Sequence, residues 1–332
     1  MRLVAYLDDL GLPVAGILEG DRVLTLALLA EHAGLADELA ILDPRGLLAE
    51  DDGLAETRAA VDRAHRAGLV GTPRDALRLV APLDPGKIVC IGQNYAGHVR
   101  EQGLPLPTRP LLFAKFGNAV VGDGEPVIRP AVTHALDLEA ELAVVIGWRA
   151  RRVAAADALA HVAAYATAND ISARDLQGSK PALHEGERGD GQWLRAKGSD
   201  TFLPLGPCLV TADELGDPGD LVVRGYHTPA GGPDAGREIR VQDGRTSDMV
   251  FSVAELISFI SATITLEPGD LLITGTPSGV GVFRDPPVFL APGDVVRVEV
   301  EGIGSLTNPI VDADGAAPAG SPAARLLAGR TA

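Results

Sequence analysis

The sequence predicts an α+β fold in which antiparallel β structure dominates the second half of the chain. Pro-Gly-Asp occurs three times before an apolar run, at residues 218–220, 268–270 and 292–294. Proline followed by glycine at the centre of a turn suits a type II β-turn between strands. One helix interrupts these strands, because Ser252 and Glu255 form a capping-box pair and the apolar residues after them share one stripe that would pack on a sheet.

Length and composition indicate a globular enzyme. The chain has 332 residues, of which 46% are hydrophobic and 22% charged, enough for one large domain with or without a small companion. Its 29 basic and 45 acidic residues give a net charge of −16, which argues against nucleic acid and anionic membranes as partners. This charge also repels anionic substrates at long range. A site for such a substrate must therefore carry positive charge of its own.

We expect a cytoplasmic protein with no membrane association. Acidic residues interrupt the first nine positions before a signal-peptide core could form, and no apolar run approaches the roughly 20 residues that span a bilayer. Cys90 and Cys208 lie far apart in apolar contexts without metal-ligand spacing. We interpret both as reduced core residues.

Residues 1–75 are expected to form a small N-terminal α/β domain. Short strands at residues 3–6 and 14–18 precede a hairpin turn at 19–21, and a helix is predicted over residues 54–67. Residues 70–86 contain three prolines and are typical of a linker. The domain boundary is placed near residue 75.

The stretch at residues 136–147 has the apolar, partly β-branched pattern of a buried strand, yet it carries acidic residues. Side chains alternate across a strand, which places Asp137, Glu139 and Glu141 on one face. Like charges side by side destabilise each other, and burial adds to the cost. Two interpretations remain open, a solvent-exposed strand end and a bound metal ion.

A histidine and a glutamate lie close together after the strand predicted at residues 87–91. Residues 92–101 are expected to form a loop that turns into a short helix, and His98 and Glu101 would lie on one face of it. A carboxylate beside an imidazole raises its basicity and fixes its tautomer, as a general base requires. The alternative is a surface ion pair of little energetic value.

Several further segments carry predictions of their own. Residues 155–165 have helical composition, and Asn169 with Asp170 indicates the end of an element, where Asp170 alone could be a helix cap. Residues 178–191 are polar and turn-rich, which indicates an exposed loop serving as a lid or subunit contact. Residues 312–332 are dominated by Ala, Gly and Pro, so a disordered tail is expected.

Lys197 is notable because the chain has only four lysines against 25 arginines. In such a chain a lysine is less often an ordinary surface residue, although a solvated surface lysine is the alternative.

The glycine-rich segment at residues 274–281 lacks the ending of a P-loop and does not lead into a helix. Nucleotide binding therefore receives little support.

Taken together and in chain order, the motifs resemble the fumarylacetoacetate hydrolase superfamily over roughly residues 85–311. The residues that carry the resemblance are Gly92-Gln93-Asn94-Tyr95 with His98, Glu139-Ala140-Glu141-Leu142, Asn169-Asp170 through Arg174 and Gln177, Lys197, and Thr274-Gly275-Thr276-Pro277. The pattern at residues 242–249 is similar to the bacterial, acylpyruvase-like branch of that superfamily.

The resemblance implies a mixed β-sandwich roll over residues 76–311 and a homodimer. It also implies that Glu139, Glu141 and Asp170 ligate one divalent ion. Three carboxylates without sulfur or nitrogen donors suit a hard cation, so Mg²⁺ or Mn²⁺ is favoured over Zn²⁺.

By the same resemblance, His98 held by Glu101 would activate water, and Lys197 would polarise substrate oxygens. The substrate-binding residues that it implies are Tyr95, Arg174, Gln177 and Thr276. The predicted activity is metal-dependent hydrolysis of a carbon–carbon bond in a small 1,3-diketo acid of the acylpyruvate or fumarylpyruvate type. Two alternatives stay open: an isomerase, tautomerase or decarboxylase of a 2-oxo or 2-hydroxymuconate-type acid on the same metal site, and a non-catalytic metal-binding module.

Overall fold

The computed structural model describes residues 1–50, 52–185, 187 and 191–330, and confirms a mixed α+β fold. The strands of the described residues are β1 (Arg2–Leu7), β2 (Pro13–Glu19), β3 (Arg22–Thr25), β4 (Thr72–Pro73), β5 (Leu79–Val80), β6 (Ile88–Gly92), β7 (Leu111–Lys115), β8 (Val120–Val121), β9 (Val127–Ile128), β10 (Leu136–Asp137), β11 (Ala140–Ile146), β12 (Val162–Asn169), β13 (Ser172–Ala173), β14 (Leu203–Thr211), β15 (Val222–Thr228), β16 (Ile239–Arg245), β17 (Leu271–Ile273), β18 (Val295–Val300) and β19 (Gly304–Val311).

Helices are fewer and mostly short. The α-helices are α1 (Leu26–Ala33), α2 (Pro44–Ala49), α3 (Gly53–Arg66), α4 (Ala96–Glu101), α5 (Arg174–Gln177), α6 (Trp193–Lys197), α7 (Ala212–Leu215), α8 (Val253–Ser261) and α9 (Pro322–Arg330). Helix α8 begins with the predicted capping box between Ser252 and Glu255. None of the helices in the described ranges is long and apolar enough to cross a membrane.

A large mixed sheet organises the molecule. Its strand order is β4-β3-β2-β1-β14-β12-β11-β17-β6-β7, with β5 beside β1 and β8 beside β14. Neighbouring strands are mostly antiparallel, but β17 runs parallel to β6. A second sheet, β16-β15-β18-β19-β9, packs against β11, β12 and β14. The two sheets share one apolar core, as a sandwich requires.

Strand β11 lies near the centre of the large sheet and carries Glu141, while Glu139 directly precedes it. It pairs with β12 on one side and β17 on the other, and all seven of its residues are buried. A strand buried on both faces has a nearly continuous apolar sequence, which explains the run from residue 142 to residue 146. Because Ala140 pairs with Asn169 at the end of β12, the following residue, Asp170, lies beside Glu139.

The stretch at residues 136–147 is two strands rather than one. Leu136–Asp137 pairs with Ser172–Ala173 in a separate two-stranded sheet, and regular pairing in the large sheet begins at Ala140. The prediction that Asp137 shares one face of a single strand with the two glutamates is therefore wrong. Asp137 instead accepts hydrogen bonds from the backbone N–H groups of Gly281 and Val282.

The helix predicted over residues 155–165 is wrong in its second half. Residues Ala155–His161 form a 3-10 helix, and β12 begins at Val162. Alanines give this segment helical composition, but pairing with β11 and β14 on both sides outweighs intrinsic propensity.

The two ends of the chain are more closely joined to the core than predicted. Strand β1 pairs with β14 at Leu3 and Leu209, so the strands of residues 1–75 extend the large sheet. The domain boundary near residue 75 stays a prediction. The disordered tail is wrong for the described residues up to 330, because α9 forms there, Ala323 is buried, and its N–H bonds the Gly293 carbonyl.

Two of the three Pro-Gly-Asp segments have the expected turn geometry. Gly269 and Gly293 have φ values of 81° and 104°, the left-handed region that the second central position of a type II turn requires. The third segment, Pro218–Asp220, forms a 3-10 turn instead.

Candidate metal centre and adjoining pocket

Glu139, Glu141 and Asp170 lie close together where β11 begins and β12 ends. One carboxylate oxygen from each lies within 4.8 Å of the other two. The three residues are 5%, 1% and 0% exposed, so the alternative of a solvent-exposed strand end is wrong. The antiparallel pairing that places Asp170 beside Glu139 also explains why two residues so far apart in the sequence meet here.

Two buried lysines contact these carboxylates. Lys197 Nζ, at the end of α6, lies 2.6 Å from Glu139 Oε2 and 2.6 Å from Asp170 Oδ2. Lys115 Nζ, at the end of β7, forms an ion pair with Asp170 Oδ1 at 2.7 Å and donates to the Ile171 and Phe202 carbonyls. Sequence reasoning gave Lys115 no role. The scarcity of lysine that drew attention to Lys197 applies equally to a lysine ending an apolar strand.

Arg174 is the third buried cation and is held by its surroundings. Its Nε donates to Asp137 Oδ2 at 2.9 Å, its Nη2 forms an ion pair with Glu139 Oε1 at 2.6 Å, and its Nη1 donates to Gln177 Oε1 at 3.1 Å. Asp137, which sequence reasoning placed beside the metal ligands, therefore positions Arg174 and the 281–282 backbone. The proposed contact between Arg174 and substrate stays a prediction.

The cluster contains one more carboxylate than cation. Asp137, Glu139 and Asp170 each have an ion pair, whereas Glu141 has none among the described residues and accepts a hydrogen bond from the Gly275 N–H. Burial and the neighbouring Asp170 and Glu139 raise the pKa of Glu141 well above its ordinary value. Burial opposes ionisation of Glu139 too, but Lys197 and Arg174 hold its pKa below the ordinary value.

This donor set fits a divalent cation. Three buried oxygen ligands, one of which lacks a compensating charge, match the preference of Mg²⁺ and Mn²⁺ for carboxylates. Glu139, Glu141 and Asp170 would hold the ion. Its two positive charges would compensate the negative charge of Glu141, which has no ion pair among the described residues.

Removing the metal should make stability depend on pH in a specific direction. The neutral form of buried Glu141 stabilises the folded state below its ordinary pKa of 4.5, and this contribution is lost as the pH rises through the raised pKa. The depressed pKa of Glu139 adds stability that is fully present above 4.5 and constant there. We therefore expect urea unfolding of EDTA-treated protein to show falling stability from pH 5 upward. Saturating Mg²⁺ should remove this loss, and an equal slope with and without Mg²⁺ would contradict the assignment.

Lys115→Met should destabilise the protein strongly. The substitution removes one of the two ion pairs of Asp170, which keeps Lys197, and removes the buried ammonium that donates to the Ile171, Lys197 and Phe202 carbonyls. This should lower the free energy of unfolding by about 3–5 kcal/mol. Lys87→Met is the matched control, because Lys87 pairs with Asp270 at 2.6 Å but is 42% exposed. Its expected cost is about 1 kcal/mol or less. Equal losses in urea unfolding would show that burial of Lys115 carries no special weight.

His98 and Glu101 form the predicted pair on α4. His98 Nδ1 lies 2.5 Å from Glu101 Oε1, and Glu101 Oε2 accepts a hydrogen bond from the Gly279 N–H at 3.0 Å. His98 is 6% exposed, so the alternative of a surface ion pair is wrong. Because Glu101 engages Nδ1, Nε2 is the ring nitrogen available for proton transfer.

A pocket of about 270 Å³ joins this pair to the carboxylate cluster. The side chains of Gln93, His98, Gln102, Phe113, Glu139, Glu141, Arg174, Gln177, Ser179, Trp193, Lys197, Thr276 and Phe283 line it. Of the described part of the 178–191 segment, Gly178 and Ser179 reach the lining; residues 186 and 188–190 lie outside the described ranges. The aromatic wall, in which Phe113 meets Trp193 edge to face, was missed because its spacing carries no motif.

Of the predicted substrate-binding residues, Gln177 and Thr276 line the pocket, whereas Tyr95 does not. Gln177 lines the pocket with its carbonyl engaged by Arg174 and Ser179, which leaves its amide N–H groups free among the described contacts. The Thr276 hydroxyl donates to the Ala140 carbonyl and accepts from Gln242. Tyr95 lies outside the lining; burial raises its pKa well above the ordinary value, and its hydroxyl has no partner among the described residues.

Fold and site together define a class of enzyme in which a buried carboxylate site for a divalent cation shares a pocket with a histidine–glutamate pair. The chain belongs to the fumarylacetoacetate hydrolase family: residues 87–311 match the family model described as fumarylacetoacetate (FAA) hydrolase C-terminal.

Several relatives are named as isomerases or tautomerases, and one similar solved structure, from Exiguobacterium antarcticum, is named as a fumarylacetoacetate hydrolase. The chain is 44% identical over 256 residues to the mitochondrial oxaloacetate tautomerase FAHD2A of Bos taurus, covering 77% of this chain and 76% of that protein. The crystal structure of 2-hydroxyhepta-2,4-diene-1,7-dioate isomerase from Mycobacterium marinum is similar with a TM-score of 0.66 and 33% identity, covering 94% of this chain and 98% of that one. The 5-carboxymethyl-2-hydroxymuconate delta-isomerase of Mycobacterium smegmatis gives a TM-score of 0.67 and 31% identity, covering 94% and 100%.

Proposed function

We propose that this enzyme is a Mg²⁺- or Mn²⁺-dependent tautomerase or isomerase of a small 2-oxo acid, with oxaloacetate as the first substrate to test. The observation that carries the proposal is the pocket that His98 lines together with Glu139 and Glu141, two of three buried carboxylates that are close enough together to hold a divalent cation. The names of the relatives support the isomerase alternative over the hydrolysis that the sequence predicted.

Tautomerisation moves a proton between carbon and oxygen next to a carbonyl group. A divalent cation held by Glu139, Glu141 and Asp170 would stabilise the negative charge that develops on the substrate oxygens. His98 Nε2 takes the proton from the carbon and delivers it to the enolate oxygen, and the reverse reaction follows the same route. Glu101 holds the His98 ring through Nδ1 and stabilises the imidazolium that forms.

The charge of the site favours an anionic substrate. Without metal the cluster has one carboxylate in excess over Lys115, Arg174 and Lys197, so a divalent cation would leave it with one positive charge in excess. One substrate carboxylate would neutralise that charge. A local positive charge of this kind would allow a protein with a net charge of −16 to bind an organic acid.

Hydrolysis is the second candidate, because the His98–Glu101 pair could equally activate a water molecule. It requires water to attack a carbonyl group, whereas tautomerisation requires only proton transfer. Decarboxylation on the same site has no observation of its own in its favour.

Product identification separates these reactions. The purified protein, saturated with Mg²⁺, is incubated in D₂O with oxaloacetate and separately with acetylpyruvate, and both are followed by NMR. We expect exchange of the C3 protons of oxaloacetate above the protein-free rate, with no cleavage of acetylpyruvate. Cleavage of acetylpyruvate to acetate and pyruvate without catalysed exchange would establish hydrolysis instead.

The homodimer and the cytoplasmic location stay predictions. Exposed apolar side chains on β7, α6 and the chain just after β7, namely Leu111, Leu194 and Phe116, offer a surface for a second copy near the pocket. Light scattering of the purified protein would give the oligomeric state. The bovine relative is named as mitochondrial, so the location needs its own experiment.

A further inference from the structure

We propose that Gln93 and Gln102 form a subsite that binds the second carboxylate of a short dicarboxylic 2-oxo acid. The inference rests on the proposed function, since it concerns the substrate of the same pocket. Both side chains are half-buried and line the pocket, and Gln93 Nε2 donates to Gln102 Oε1 at 3.3 Å. Neither residue was assigned a role by the sequence.

The pair has hydrogen-bond donors to spare. One N–H of Gln93 and both N–H groups of Gln102 have no partner among the described residues, whereas only the Gln93 carbonyl is a wholly unused acceptor. An excess of donors suits a ligand group made only of acceptors, such as a carboxylate.

Among the described residues, the charged side chains of the lining offer no free cation to a second carboxylate. Arg174 and Lys197 are the basic lining residues, and both are ion-paired with Asp137, Glu139 or Asp170. A first carboxylate would be matched by the divalent cation. The carboxamide pair therefore supplies neutral donors for the other end of the substrate, on the side of the pocket where His98 lies, in addition to the free amide of Gln177.

Distance along α4 limits the length of that substrate. Gln102 follows the last residue of α4 with helical backbone angles, so it lies one turn beyond His98 on the same face. Side chains at this spacing have Cβ atoms about 5–6 Å apart. A carbon that exchanges a proton with His98 can then be only a few bonds from the carboxylate held by Gln102.

Gln93 is held in a backbone conformation that glutamine rarely adopts. Its φ is +57°, a left-handed conformation that costs a residue with a side chain about 1 kcal/mol or more. The neighbouring Asn94 fixes this loop, because its side chain bonds the Thr274 carbonyl at 2.8 Å and the Phe251 N–H at 2.9 Å. Glycine or asparagine would suit the conformation better, so a glutamine here indicates a role for its side chain.

The test compares two acids of equal chain length, oxaloacetate and 2-oxobutanoate, which differ in the distal carboxylate. With Mg²⁺ saturating, Gln102→Leu should lower kcat/KM for C3 proton exchange of oxaloacetate about 10- to 100-fold and change that for 2-oxobutanoate less than about threefold. Gln93→Gly should also lower the ratio of kcat/KM for oxaloacetate to kcat/KM for 2-oxobutanoate. Its melting temperature should stay at or above that of wild type. Arg100→Ala, an exposed change on the same helix, should leave both rates unchanged.

Calorimetric Kd values for the two acids make the result independent of turnover. If wild type exchanges neither acid but binds oxaloacetate more tightly, and Gln102→Leu loses that difference, the proposed function fails and the subsite stands. If Gln102→Leu and Gln93→Gly keep the wild-type preference for the dicarboxylate in both binding and exchange, the subsite is wrong.

Discussion

Glu141→Gln is expected to abolish activity while leaving the metal-free protein at least as stable as wild type. Glutamine keeps a carbonyl oxygen for the Gly275 N–H and preserves the side-chain volume, but it removes the carboxylate that has no ion pair. Loss of outer-shell partners already costs metal sites about 10- to 100-fold in affinity, so loss of a ligand should weaken Mg²⁺ binding by more than about 100-fold. Relief of repulsion from Glu139 and Asp170 acts in the opposite direction on stability.

Glu139→Gln is the matched control for this experiment. It should lose Mg²⁺ affinity as well, but it also breaks buried ion pairs with Lys197 and Arg174, which should cost about 3–5 kcal/mol of unfolding free energy. Calorimetric Mg²⁺ titration and urea unfolding in EDTA measure the two quantities separately. Normal Mg²⁺ affinity in both variants would show that the carboxylates do not form the metal site.

The family resemblance singled out the candidate ligands, and each candidate site residue also has a local signature. Glu139 and Glu141 lie directly before and near the start of an apolar strand, Asp170 follows the end of the next strand, and His98 with Glu101 shares one turn of helix. The antiparallel β-rich second half followed from turn residues with known backbone preferences. These features depend on neighbours within a few positions, which is the range in which single-sequence patterns are informative.

The electrostatic balance of the site could not be predicted in the same way. Lys115 and Lys197 meet the carboxylates through contacts 27 to 58 positions apart. Strand alternation placed Asp137 on one face with Glu139 and Glu141, as a neighbour of the predicted ligands, but the break before Ala140 places it against Arg174. The β12 strand was hidden by its alanines, whose helical propensity is weaker than the pairing that surrounds them. Each error arose where tertiary contacts outweighed a local preference.

His98→Gln should remove catalysis with little effect on the metal site. A general acid–base residue typically contributes 10²- to 10⁴-fold, so kcat for C3 exchange should fall within about that range. Glutamine retains a polar group of similar reach but cannot take up a proton. Mg²⁺ affinity should stay within about threefold of wild type, a difference below about 1 kcal/mol, because His98 does not ligate through either nitrogen in the proposed arrangement.

Glu101→Gln distinguishes proton transfer by His98 from a purely structural role for the pair. The amide oxygen can still accept from His98 Nδ1, although the hydrogen bond from the Gly279 N–H is then lost, and the negative charge that stabilises the imidazolium is removed. If His98 is the base, Glu101→Gln should lower kcat less than His98→Gln, and the double variant should be no slower than His98→Gln alone, since the carboxylate acts only through the ring. Losses that multiply in the double variant would instead assign Glu101 a separate catalytic task, such as positioning water for hydrolysis. NMR exchange rates of the three variants at saturating Mg²⁺ decide between these outcomes.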